Sequence, residues 1–204
     1  MKKKILASVE ESIRAIQVLK EQESIDFIAN TSEALAQCFS QGGKLLIAGN
    51  GGSLCDGLHF AEEFTAIFRK KRKALPAIAL SDPAHISCIA NDLGYEFVFQ
   101  RGVEAYGKEK DVLICLSTSG NSINLINAIE QAKKMKLKTI SFLGKTGGAM
   151  KGMSDLEWQI KGFATSDKIQ EAQMAAMHII VEMVEEQLFY QKHKLLKNLT
   201  LASH

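Results

Sequence analysis

His59 and Glu63 stand four residues apart in a stretch, Ser53–Phe68, that reads as helix. Four residues are about 40° of rotation and about 6 Å of rise, so the imidazole and the carboxylate face one way. Such a pair can move protons, or can share a cation with His178, since imidazole and carboxylate both suit zinc. His178 lies between Met177 and Ile179 in the last long helical stretch, Ile169–Tyr190. An imidazole among apolar neighbours has to be hydrogen-bonded or put to use. Taken alone, each has a plainer reading: a surface pair for His59 and Glu63, a satisfied core histidine for His178. Gln170 comes eight residues before His178. On an ideal helix that is roughly 12 Å along the axis and roughly 80° around it. For both to reach one metal, the first turn must be distorted or the ligands must come from different subunits.

Two loops rich in small residues could receive a ligand. Gly49-Asn50-Gly51-Gly52-Ser53 follows an apolar run and opens the helix that carries His59. It begins like a dinucleotide fingerprint, but Leu54 takes the third glycine position, and Asp82 comes later than a ribose-binding acid should. No Gly-Lys-Ser/Thr follows, which excludes a Walker loop. What remains is a turn that lets backbone amides approach a ligand closely, or simply a tight link between strand and helix. The second loop, Ser117-Thr118-Ser119-Gly120-Asn121-Ser122, places four hydroxyls where a helix begins. A helix N-terminus has unpaired N–H groups and a partial positive charge, which suit phosphate. Capping alone needs one hydroxyl. With no lysine in the loop, a phosphosugar fits better than a nucleoside triphosphate.

Positioning these loops requires a particular frame. Apolar residues at Ile5, Val9, Ile13 and Ile16, then at Ile25, Ile28, Ala34, Leu35 and Cys38, predict two helices, the second ended by Gln41-Gly42-Gly43. Strand-like runs follow at Lys44–Ala48, Ala74–Leu80, Asp111–Leu116, Lys138–Leu143 and Leu156–Ile160. They alternate with helical stretches at Ser53–Phe68, Ala84–Asp92, Phe97–Tyr106, Ile123–Met135 and Ile169–Tyr190. This alternation predicts an α/β fold, a doubly wound five-stranded parallel sheet flanked by helices, an αβα sandwich with an N-terminal helical extension. The expected division is one domain over 1–204, with helices in 1–42, the sandwich in 43–191 and a frayed tail in 192–204. In such sheets ligands bind beyond the carboxyl ends of the strands, where both loops lie.

Composition narrows the function classes. A chain of 204 residues, 46% hydrophobic and 24% charged, is an ordinary globular domain. Its net charge of +2 gives no whole-molecule attraction to nucleic acid or anionic lipid. No apolar run approaches the roughly 20 residues of a membrane span. Met1-Lys2-Lys3-Lys4 mimics the start of a signal peptide, but Ile5-Leu6-Ala7 is too short and Glu10 and Glu11 follow. Cys38, Cys55, Cys88 and Cys115 are widely spaced and contain no Cys-x-x-Cys, which reads as thiols in a reducing cytoplasm. Arg69-Lys70-Lys71-Arg72-Lys73 reads as a solvated loop, Trp158 as packing, and Lys192, Lys194 and Lys197 as complements to a helix end.

Together with His59-Phe60-Ala61-Glu62-Glu63, Pro76–Leu80, His85–Cys88, Asn91-Asp92-Leu93-Gly94 and Asp167-Lys168-Ile169-Gln170-Glu171, the two loops carry a resemblance. From the N-terminal helices to about Phe189 the chain resembles the sugar isomerase (SIS) domain family, and within it the phosphoheptose isomerases. The resemblance implies conversion of D-sedoheptulose 7-phosphate to D-glycero-D-manno-heptose 7-phosphate through an enediol, the first step toward lipopolysaccharide heptose. It implies a cytoplasmic homotetramer with active sites between subunits and one zinc per subunit. By motif, Asn50, Gly51, Gly52, Ser53, Asn91, Asp92, Asp167 and Gln170 would contact substrate. Ser117, Thr118, Ser119 and Ser122 would hold the phosphate, Glu63 and His178 would be the acid–base pair, and His59, Glu63, Gln170 and His178 would hold zinc. The chain departs from the pattern at Leu54, at Gln173, where a histidine is common, and at Ile67, where an arginine is usual. The rival readings are an isomerase of another sugar phosphate, and a non-catalytic tetrameric SIS module that binds a replication initiator and shares the Gly-Asn-Gly-Gly-Ser loop.

Overall fold

The structure, a computed structural model, describes residues 1–190; the predicted tail and its lysines lie outside the described residues. In chain order the elements are α1 (Lys2–Gln17), α2 (Gln22–Ser40), β1 (Leu45–Gly49), α3 (Gly52–Thr65), β2 (Ala77–Ala79), α4 (Pro83–Asp92), α5 (Val98–Tyr106), β3 (Val112–Ser117), α6 (Ile123–Lys134), β4 (Lys138–Gly144), β5 (Leu156–Ile160) and α7 (Ser166–Glu185). The strands form one parallel sheet in the order β2-β1-β3-β4-β5. The order reverses between β1 and β3, and the two ligand loops are the segments that follow these strands. Their crevice is therefore the switch point of the sheet.

Every residue of β1 and β3 is buried, as expected of central strands covered on both faces. Register sorts their side chains into two cores. Ile47 lies opposite Ile114 and Ile114 opposite Ile140, and these face α2, α3 and α7. Leu46 and Leu113, one residue out of phase, face α5 and α6. Helix α2 belongs to the sandwich itself. Its Phe27 packs edge-on against Phe142 at 5.0 Å, and the Trp158 indole donates to Ser24 Oγ at 3.0 Å. The boundary expected at residue 42 thus falls inside the core, and only α1, with Ala15 as its one buried residue, is an extension. Helix α1 packs on α7 and leaves Ile5, Leu6, Val9, Ile13 and Ile16 exposed. Among the described residues no helix is long and apolar enough to cross a membrane.

Two boundaries moved for identifiable reasons. The run Ala74–Leu80 contributes only Ala77–Ala79 to the sheet, because it is an edge and Pro76 has no N–H to give. Helix α3 stops at Thr65, short of Phe68, where the Arg72 guanidinium takes up its end. It donates to the carbonyls of Glu63 at 2.6 Å, Phe64 at 2.7 Å and Ala66 at 2.9 Å. Its Nε meets Glu185 Oε1 at 2.7 Å, with the two side chains 1% and 3% exposed. The basic run is therefore not simply solvated, since one of its members is a buried helix cap.

Candidate active site

The second loop is a tight turn lined by hydroxyls. Ser117 Oγ accepts from the Gly120 N–H at 3.0 Å, Ser119 Oγ accepts from the Asn121 N–H at 3.2 Å, and the Thr118 and Ser166 hydroxyls lie 3.0 Å apart. Ser122 occupies the N-cap of α6 but makes no side-chain capping bond, so its hydroxyl is not committed to the helix. In the first turn of α6 the Leu125 N–H donates to the Ser122 carbonyl at 3.0 Å, and the N–H groups of Ile123 and Asn124, ahead of it, have no carbonyl a turn earlier in the helix to bond. Gly120 has φ +67°, and a Cβ there would stand 1.8 Å from the Gly147 carbonyl oxygen. Only glycine permits that crossing. Met150 N–H donates to the Gly120 carbonyl at 2.9 Å, closing the loop from above.

The first loop abuts the second. Asn50 and Asn124 exchange two amide hydrogen bonds, at 2.9 and 3.0 Å, which join the loop after β1 to the first turn of α6. The Tyr95 hydroxyl also donates to Asn50 Oδ1 at 2.9 Å. Gln170, in the first turn of α7, donates to Ser53 Oγ at 3.1 Å. A Cβ on Gly52 would come within 2.8 Å of the Gln170 amide nitrogen, so the glycine makes this approach possible. Asn91 and Asp92 end α4 on the surface, three to four residues before Tyr95, with the Asn91 amide donating to Asp92 Oδ1 at 2.7 Å. Asp167 is exposed in the first turn of α7, and the Thr165 hydroxyl holds its carboxyl below the usual range.

The fold brings His59, Glu63 and His178 together. Glu63 Oε1 lies 3.2 Å from His59 Nε2 and 3.8 Å from His178 Nε2, and all three donor atoms lie within 4.8 Å of one another. Tetrahedral zinc with ligands at about 2.1 Å has donors roughly 3.4 Å apart, so the spacing fits a metal with an open position. Glu63 is the sheltered member at 15% side-chain exposure, against 47% for His59 and 36% for His178. Burial, with His59 close by, pushes the His178 pKa down, so the ring is a neutral base or ligand near pH 7. Asp56, one turn before His59, has its pKa raised by its own burial, and its Oδ2 has no partner among the described residues.

Gln170 does not join this cluster within one chain. Helix α7 is regular from Ser166, which removes the distorted first turn as an explanation. Ser53, which holds Gln170, precedes Glu63 by ten residues, about 15 Å along α3. Ser166, which touches Thr118 of the second loop, precedes His178 by twelve residues, about 18 Å along α7. The two helices thus carry the ligand loops at one end and the imidazole–carboxylate cluster at the other.

Two residues of this region, Tyr95 and Asn124, were not singled out by sequence, and a third, Arg69, was read only as part of a solvated basic run. Arg69 meets Glu182 at 2.6 Å, and its guanidinium lies 5.1 Å from the centroid of the Phe68 ring, which in turn stacks on His178 at 5.9 Å. Ile67 is exposed, yet a cation stands beside His178 all the same, two residues farther along.

Comparison with known proteins places the chain in a family. A SIS domain family model matches residues 8–144, more than half of the chain. A phosphoheptose isomerase of Fusobacterium nucleatum subsp. nucleatum is 54% identical over 171 residues, 84% of this chain and 88% of its own. One from Vibrio cholerae is 48% identical over 170 residues, 83% of this chain and 89% of its own. The solved phosphoheptose isomerase of Francisella tularensis superposes with a TM-score of 0.85 at 32% identity, covering 90% of this chain and 97% of its own. That of Neisseria gonorrhoeae gives 0.82 at 33%, covering 90% and 98%. The chain belongs to the SIS domain family, as a member of its phosphoheptose isomerases.

Proposed function

We propose that the chain isomerises D-sedoheptulose 7-phosphate to D-glycero-D-manno-heptose 7-phosphate, toward lipopolysaccharide heptose, in sites built jointly by the copies of a homotetramer. The observation that carries the shared site is the separation along α3 and α7. From its reacting carbons to its phosphorus, the substrate reaches about 10 Å at full stretch, at about 1.5 Å per bond. The phosphate loop and His178 lie about 18 Å apart along α7. One copy therefore binds the phosphate, and a neighbour supplies Glu63 and His178. The exposed apolar stripe Ile5, Leu6, Val9, Ile13 and Ile16, and the groove lined by Ile25, Ile28, Ile179 and Met183, supply surface for such contacts.

The chemistry moves one proton between adjacent carbons through an enediol. Glu63, sheltered and aimed between two imidazoles, takes the proton from carbon and returns it to the neighbouring carbon. Neutral His178 exchanges protons with the two oxygens. Backbone amides of Gly51 and Gly52, with Asn91 and Asp92, orient the sugar, while the hydroxyls of residues 117–122 hold the phosphate. His59, Glu63 and His178 would hold zinc, joined by Gln170 of a neighbouring copy, and zinc there would polarise the sugar oxygens. A non-catalytic scaffold has no use for this three-donor cluster. Free, exposed Cys55 and Cys88 suit the reducing cytoplasm. The test is purified protein with sedoheptulose 7-phosphate, following heptose formation with and without added zinc. Aldoheptose formation supports the reading, and a chain that leaves the ketose unchanged under both conditions contradicts it.

A further inference from the structure

We propose that Tyr95 is a positioning residue for substrate: its hydroxyl sets the Asn50 amide, and through it the Asn50–Gly52 loop, against the sugar. The inference rests on the proposed reading and concerns a residue outside its motifs.

Asn50 has two N–H donors and an oxygen with two lone pairs. The oxygen accepts from Asn124 Nδ2 at 2.9 Å and from the Tyr95 hydroxyl at 2.9 Å, and Nδ2 donates to Asn124 Oδ1 at 3.0 Å. Three of the four capacities are spent within the chain. The side chain is left with one N–H, so it recognises an oxygen acceptor and has no lone pair for a sugar hydroxyl. Asn124 is buried, which anchors this pair on α6. Tyr95 reaches it from the opposite side. Gly94, at φ +114°, turns the chain after Asn91-Asp92, and the Asn127 amide fixes the next residue by donating to the Glu96 carbonyl at 2.9 Å. Tyr95 thus ties the Asn91–Asp92 segment to the first loop, and through Asn124 to the helix below the phosphate loop. Tyr95 is 52% exposed, so it adds little to the core and the fold does not explain its hydroxyl.

The experiment is a double-mutant cycle of Tyr95→Phe and Asn50→Ala, read by steady-state kinetics, by calorimetric affinity for sedoheptulose 7-phosphate and by thermal unfolding. Tyr95→Phe should raise KM about three- to tenfold, what one neutral hydrogen bond is worth, with kcat within about twofold and unfolding unchanged. It should add nothing in the Asn50→Ala background, because it acts through that amide. A parental KM in Tyr95→Phe overturns the inference, as does a full additional effect on top of Asn50→Ala. Should Asn50→Ala not fold, the KM-against-kcat split of the single Tyr95→Phe variant decides. A parent that binds the sugar phosphate without turning it over rejects the proposed activity alone, and the same affinity ratio then tests Tyr95. A parent without affinity overturns both.

Discussion

Glu63 gains its character from company: one imidazole from its own helix, another from α7, and a side chain mostly withdrawn from water. Glu63→Gln keeps size and hydrogen bonding but removes the basic carboxylate. Turnover should fall by about 10² or more with unfolding unchanged, whereas a variant that turns over like the parent would leave Glu63 without a catalytic role. For His178 the sign of the pH effect follows from burial. Its folded pKa lies below the usual histidine value of about 6.5, so as pH falls the unfolded chain takes up the proton first. The stabilisation is complete above about pH 6.5 and is lost below it, down to the folded pKa. Unfolding temperatures of metal-free protein between about pH 5 and about pH 7.5 should show this loss, and His178→Gln should reduce it. An equal loss in both would contradict the assignment. Buried Arg72 and Glu185 form the most stability-sensitive pair. Arg72→Met strands the carboxylate and uncaps α3, and denaturant titration should show a loss of about 3–5 kcal/mol.

At the scale of elements, the strand–helix alternation predicted all five strands and the helices between them, because central strands are continuous apolar runs and the helices have an apolar stripe. The loops after β1 and β3 stood out as candidates because glycines and hydroxyls cluster where a strand hands over to a helix, although several of them, Gly52, Ser117 and Gly120 among them, also serve the close packing of those turns. Three features were not legible. The end of α3 depends on Arg72, six to nine residues from the carbonyls it caps, a contact made by tertiary folding rather than by local propensity. The inclusion of α2 in the core depends on Trp158, 134 residues from Ser24. The split between ligand loops and acid–base cluster depends on α3 and α7 lying side by side in one direction, which periodicity does not encode. His59 and Glu63 could be read as a pair from spacing, and His178 could be joined to them by donor chemistry as one possibility, but their proximity across 115 residues is set by tertiary packing that spacing does not encode. The phosphate loop carries its own prediction. Ser119→Ala together with Ser122→Ala should raise KM about tenfold or more with little change in kcat, since the lost hydroxyls grip a group remote from the reacting carbons. An unchanged affinity for the sugar phosphate would contradict the assignment.

At the scale of the whole molecule, the claim that organises the rest is that no single copy holds a complete site. Subunit complementation tests it most directly. Glu63→Gln retains an intact phosphate loop, and Ser119→Ala/Ser122→Ala retains an intact acid–base cluster, so neither homo-oligomer has a complete site of either kind. Co-expression with two different tags, followed by sequential affinity purification, isolates mixed oligomers. If neighbouring copies share each site, some interfaces in the mixture join a good loop to a good cluster. About a quarter of the sites in an equal mixture then pair a good loop with a good cluster, so activity at subsaturating sedoheptulose 7-phosphate should exceed that of the better variant by about two- to threefold and the average of the two by about fivefold, while remaining roughly a quarter of that of the unmodified protein. Mixed oligomers no more active than the average of the two variants would contradict the account, because sites lying within single copies cannot complement one another.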